Sequence, residues 1–319
     1  MKTNRSLLPI LSVLLLIAPP VMAQEESAAA PAKSVKSETS VSITASSLPE
    51  AQAALTQSWT FPFLQGEGAL TGANNVRVGT SFEVTPVSIF GVGEVTWTPI
   101  AFLQLIAGGR IGSGWNIDMF GGKSKGIGIN HPNGDGTTAV IGSAFDGVIW
   151  NIRAAGLFQF DFAAIRPGDW HHIVFQTQHR IHYDAYSAAS KTDSWYTAND
   201  DGENRNGFAY YGSFFVGYQM PIFLDTVGLL TEVDKYLYGA AGGKDWGDGL
   251  GRWTFSVLSN FTVNKWFSAA LITQFRTRRN FTDATKDLAF YQDRRIGDSG
   301  PKRHLEFYRV AVIANFKIR

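Results

Sequence analysis

The chain has 319 residues, of which 28 are Lys or Arg and 27 are Asp or Glu, so it is close to electroneutral. That balance excludes the basic surface that nucleic acids require. It contains no cysteine, which excludes disulfides, a thiol nucleophile, a thiolate metal site and a cysteine-linked lipid anchor.

The first element is an export signal. Lys2 and Arg5 precede the apolar run LLPILSVLLLIAPP, and Val21-Met22-Ala23 ends on a small residue before Gln24. This order reads as a cleaved secretory signal over 1–23. The run is too short and too interrupted by proline to be a membrane-spanning helix. Its removal leaves 26 basic and 27 acidic residues. No later run of roughly twenty apolar residues exists, so entry into a membrane requires a closed barrel. Residues 24–51 are rich in Ala, Ser and Glu and read as a flexible periplasmic leader.

From residue 52 the apolar residues recur with period two, the signature of strands. A strand is predicted over 52–64. Val76, Val78, Phe82 and Val84 share one face, with Arg77 and Glu83 on the other. The phase slips at Pro86, which marks a bulge or a turn. Residues 76–97 therefore form one bent strand or two. Leu103, Leu105, Ala107 and Ile111 then alternate with Gln104 and Arg110.

After a polar stretch over 114–146 comes VIWNIRAAGLFQFDF, 148–162. Val148, Trp150, Ile152, Phe158 and Phe160 lie on one face; Asn151, Arg153, Gln159 and Asp161 lie on the other. Soluble strands seldom sustain this pattern for so long, and a bilayer crossing needs ~9–11 residues. Further strands follow with Arg180, His182 and Asp184, with Glu232 and Asp234, with Arg276 and Arg278, and with Arg309 and Lys317 on their polar faces. Polar loops are predicted over 187–206, 239–251 and 280–303. Short and long connections alternate, as in outer-membrane barrels. Trp97, Trp150, Trp170, Trp253 and Trp266 fall near strand ends, where interfacial aromatics belong.

These features predict an all-β fold, a transmembrane antiparallel up-and-down β-barrel over 52–319. It has about ten strands, with eight to twelve allowed, and is closed by its N- and C-terminal strands.

The signal, the repeated strand-and-turn pattern and the last strand YRVAVIANFKIR resemble outer-membrane β-barrel proteins of Gram-negative-type bacteria. The segments LTGANNVRVGTSFEVTPVS and WTPIAFLQLIAGGRIGSGW resemble spirochaete (treponemal) proteins of this class. The resemblance implies an outer-membrane location, contact with outer-membrane lipid and insertion by barrel-assembly machinery. Family members commonly end on an aromatic residue, whereas this chain ends on Arg319 with Phe316 as the nearest aromatic. The assembly signal is therefore atypical.

A barrel scaffold serves several functions, so function must be argued from residues. The candidate lumen-lining set is Arg77, Glu83, Arg110, Arg153, Asp161, Arg180, His182, Asp184, Glu232, Arg276, Arg278 and Arg309. Its excess of arginine predicts a mildly positive lumen that favours anions. The leading expectation is a porin-like channel for small solutes. The alternative is a surface-exposed structural or ligand-binding barrel, adhesin-like, that acts through its outer loops. No His-x-Ser motif occurs, and no enzyme activity is expected. No catalytic, cofactor or metal site is assigned, because His171 and His172 point to opposite faces.

Overall fold

The computed structural model describes residues 34–47, 51–119, 122–124, 126–132, 138–141, 143–190, 193, 195–197, 204–237, 251–279 and 303–318. Five strands open the chain: β1 Lys36–Ser46, β2 Ala51–Pro62, β3 Asn75–Thr85, β4 Ser88–Ile100 and β5 Leu103–Gly114. Four short ones follow: β6 Ile117–Met119, β7 Gly122–Ser124, β8 Ile127–Pro132 and β9 Thr138–Ile141. Then come β10 Ile149–Asp161, β11 His172–Tyr186, the short β12 Trp195–Thr197 and β13 Gly207–Gln219. The last four are β14 Leu224–Tyr236, β15 Arg252–Asn264, β16 Phe267–Arg279 and β17 Arg303–Lys317.

Twelve of these strands close into one antiparallel barrel, in the order β1-β17-β16-β15-β14-β13-β11-β10-β5-β4-β3-β2. Closure leaves no sheet edge, the condition for a β-structure surrounded by hydrocarbon. Among the described residues no helix is long and apolar enough to cross a membrane.

The alternation that predicts about ten strands falls two short of the twelve seen, for two local reasons. Pro86 and Val87 form a tight turn, so the stretch 76–97 is two strands, β3 and β4. The segment expected to belong to a flexible leader contains β1, which pairs with both β17 and β2. The barrel therefore begins before residue 52. Composition hid β1: its inward residues Ser40, Ser42 and Thr44 are small hydroxyls, and only Val41, Ile43 and Ala45 alternate with them.

The outer wall is apolar. Ile43, Leu55, Phe82, Leu105, Ile152, Phe158, Phe175, Phe214, Leu229, Val257, Leu271 and Val312 are all solvent-exposed large hydrophobics on barrel strands. In a water-soluble protein such a surface would be unstable; against lipid it is the required one. A strand of thirteen residues tilted by ~40° rises roughly 33 Å, enough to cross the ~25 Å apolar band. Aromatic rings mark both ends. Trp59, Trp97, Trp170 and Trp266 lie exposed towards the end where β1 starts and β17 stops, the terminal end. At the other end Trp150 stacks on Tyr183 at 5.5 Å, and Tyr183 meets Phe208 edge-on at 5.0 Å.

The strand ends joined by the four longest connections, 115–148, 187–206, 237–251 and 280–302, all lie at this second end. All of 280–302, and residues 238–250 of the third connection, lie outside the described residues. The first two connections fold together. β12 pairs with β8, β8 pairs with β9, and Ile127 and Trp195 pack on Phe90, Ile149 and Tyr186 at the barrel mouth. A second apolar cluster lies on the inner wall, where Leu230, Leu258, Ala270, Ile272 and Ile313 pack with Phe215. Ala270 and Ile313 of this cluster also border the lumen cavity.

Candidate functional site

A cavity of about 2170 Å³ occupies the lumen. Its lining reaches from Lys36, Asn75 and Lys265 at the terminal end to Trp195 and Asn204 under the loops. Eleven basic and seven acidic side chains line it among the described residues.

The period of two sends the polar half of each strand inwards. Arg77, Glu83, Arg110, Arg153, Arg180, His182, Asp184, Glu232, Arg276 and Arg309 all line this cavity. Two members of the expected set stand apart. Asp161 is not on the cavity wall: it ends β10, caps the short 3-10 turn Phe162–Ala164 by accepting from Ala163 N at 3.0 Å, and pairs with His172 at 2.6 Å. The strand position alone could not distinguish this end-of-strand cap from a lumen residue. The side chain of Arg278 lies outside the described residues.

The charged groups form a belt across consecutive strands. Arg110 meets Glu83 at 3.3 Å and lies over the ring of Phe90 at 3.4 Å. Arg153 meets Glu94 at 2.9 Å. His182 meets Asp184 at 3.1 Å, and Asn151 donates to the same carboxylate at 2.7 Å. Arg180 stacks over Tyr211 at 4.3 Å, and Tyr211 donates to Glu232 at 2.6 Å. On β15–β17, Arg276 meets Glu306 at 3.2 Å and Arg309 donates to Gln274 at 2.6 Å. Arg276 and Arg309 both lie over Tyr308.

Sequence reasoning missed Glu94, Tyr211 and Arg252. Glu94 and Arg252 sit at inward parity beside Trp97 and Trp253, so their signal was present. Tyr211 was hidden because neighbouring Tyr210 makes that stretch of β13 apolar on both faces. Tyr308 faces in only because the register slips between Gln274 and Phe275, a bulge that alternation does not foretell.

Among the described residues the histidines form no common site. His171 bonds the carbonyl of Pro167, His172 pairs with Asp161, and His182 stays in the lumen. No group of three His, Asp or Glu residues placed to hold a metal ion occurs among the described residues.

No protein-family model matches the chain, and no curated protein matches it. Among solved structures it is similar to OmpT (in-vitro folded), an outer membrane protein of Vibrio cholerae, with 7% identity and a TM-score of 0.32 over 89% of this chain and 97% of that one. A loop L8 deletion mutant of the same protein matches at 8% identity and a TM-score of 0.30, over 89% and 99%. One expectation is corrected at this point. The chain was expected not to be an enzyme, on the ground that it lacks a His-x-Ser motif. A missing motif excludes one constellation only, and barrel scaffolds host catalytic as well as passive members, so that exclusion is withdrawn.

Proposed function

We propose that this protein is an outer-membrane channel that passes small solutes passively through its barrel. On this reading residues 1–23 direct export and are cleaved, and the barrel-assembly machinery inserts the mature chain. The carrying observation is the cavity, which runs between residues at both barrel ends and is lined by charged and hydroxyl groups. A barrel braced only for stability would fill its interior with side chains and leave no cavity of this size.

The experiment is single-channel recording of the refolded mature chain in a planar lipid bilayer. Discrete, reproducible conductance steps are expected. A silent bilayer, with folding confirmed by heat-modified gel mobility, overturns the channel. That result would favour a second reading, binding through the outer loops. The packed β8–β9–β12 layer over the mouth supports it, because an ordered outer surface is what a binding barrel needs.

A further inference from the structure

Register partners in the barrel define rows of inward residues, and one row carries four basic side chains. It starts at Lys36, which pairs with Thr60; Thr60 pairs with Arg77, and Arg77 with Thr96. Through β5 and β10 the row continues to Arg180 and Tyr211. It ends with Asp234 and Arg252. Because barrel strands tilt, such a row climbs as it goes round. Lys36 begins β1 at the terminal end, and Arg252 begins β15 at the loop end. The cations therefore describe a spiral along the whole lumen, with Asp234 as the row's acid.

Acids elsewhere on the β1–β4 wall are already engaged. Glu38 pairs with Lys317 at 2.9 Å, Glu83 with Arg110 at 3.3 Å, and Glu94 with Arg153 at 2.9 Å. Arg77 lines the cavity and has no ion pair among the described residues. Its row neighbours are hydroxyls, Thr60 and Thr96. The same wall carries Ser40, Thr56 and Ser81, with Thr56 donating to Ser81 at 3.1 Å.

We propose that the channel prefers small oxyanions that carry several hydroxyl groups, with Arg77, Thr60 and Thr96 as the recognising site. This rests on the channel reading above. A guanidinium fork matches a carboxylate or phosphate with two parallel bonds. Threonine hydroxyls both donate and accept, as solute hydroxyls do. A neutral sugar leaves the arginine unanswered, and an aliphatic acid leaves the hydroxyl wall to water. Repeated weak sites along the spiral satisfy the need of a channel to bind and release.

The test uses reversal potentials of the refolded mature chain across gradients of sodium glucuronate, sodium glucose 6-phosphate and sodium hexanoate, with glucose uptake by liposome swelling. The expected result is a several-fold permeability preference for one or both hydroxylated oxyanions over sodium, hexanoate and glucose; which of the two leads identifies carboxylate or phosphate. Arg77→Gln is expected to reduce that preference several-fold while conductance in potassium chloride persists. Thr96→Val, which keeps the charge, is expected to bring glucuronate towards hexanoate, and serves if Arg77→Gln does not fold. Equal permeation of glucuronate and hexanoate, or cation selectivity, overturns the inference and leaves the channel standing. A folded barrel that conducts nothing overturns the channel reading first and the inference with it.

Discussion

Arg153 on β10 reaches Glu94 on β4, Nη2 to Oε2 at 2.9 Å, although β5 lies between the two strands. The register explains the reach: Arg153 pairs with Gly108, and Gly108 pairs with Glu94. A Cβ on Gly108 would lie 2.7 Å from the Gly93 carbonyl oxygen and 3.3 Å from Glu94 Cβ. The missing side chain thus opens the path along which the ion pair closes.

Gly108→Val is expected to break this pair and to cost about 1–3 kcal/mol by overpacking. Gly156 is the control, since a Cβ there meets nothing within 4 Å. Gly156→Ala is expected to stay within about 0.5 kcal/mol. Denaturant unfolding of the detergent-folded protein measures both. Equal effects would show that Gly108 has no special role.

The outer wall makes a separate prediction. Ala154 lies exposed at the middle of β10, and Ile152 and Phe158 lie exposed nearer its ends. Ala154→Arg is expected to cost about 2–4 kcal/mol, and Ile152→Arg or Phe158→Arg about 1–3 kcal/mol. Heat-modified gel mobility after refolding into lipid reads the loss. Wild-type folding yields for all three variants would mean that this face does not meet hydrocarbon.

Trp195 anchors the layer over the mouth. It is 2% exposed, packs edge-on against Tyr186 and donates from Nε1 to Asn206 Oδ1 at 3.1 Å. Asn206 in turn accepts from Tyr186 N at 2.8 Å and donates to Ala189 O at 3.1 Å. Trp195→Ala is expected to loosen the layer without unfolding the barrel. Protease cleavage within 187–206 should rise and single-channel conductance should increase. Unchanged conductance alongside increased cleavage would show that the layer does not narrow the path.

Asp161 offers a test in which stability and passage separate. It caps the turn after β10 and pairs with His172, away from the cavity. Asp161→Ala is expected to lower stability by about 0.5–2 kcal/mol, the usual loss for a cap. Conductance and ion preference should not change. A shift in selectivity would place Asp161 on the solute path after all.

Much of the architecture was legible in the residues themselves. Alternation of apolar and polar groups is imposed by the two environments a barrel wall separates, so Ile152 outside and Arg153 inside can be read without coordinates. Ten of the twelve expected lumen residues line the cavity by that rule. Three things were decided only by tertiary structure. The strand β1 exists because β2 and β17 supply partners for a segment too poor in apolar residues to announce itself. Tyr308 faces inward because a register slip interrupts the period. The spiral of Lys36, Arg77, Arg180 and Arg252 depends on which residues pair across ten strands, and on the tilt that turns those pairs into a climb. Periodicity along one strand carries information about faces; the registers between strands are set by long-range pairing, and local sequence does not contain them.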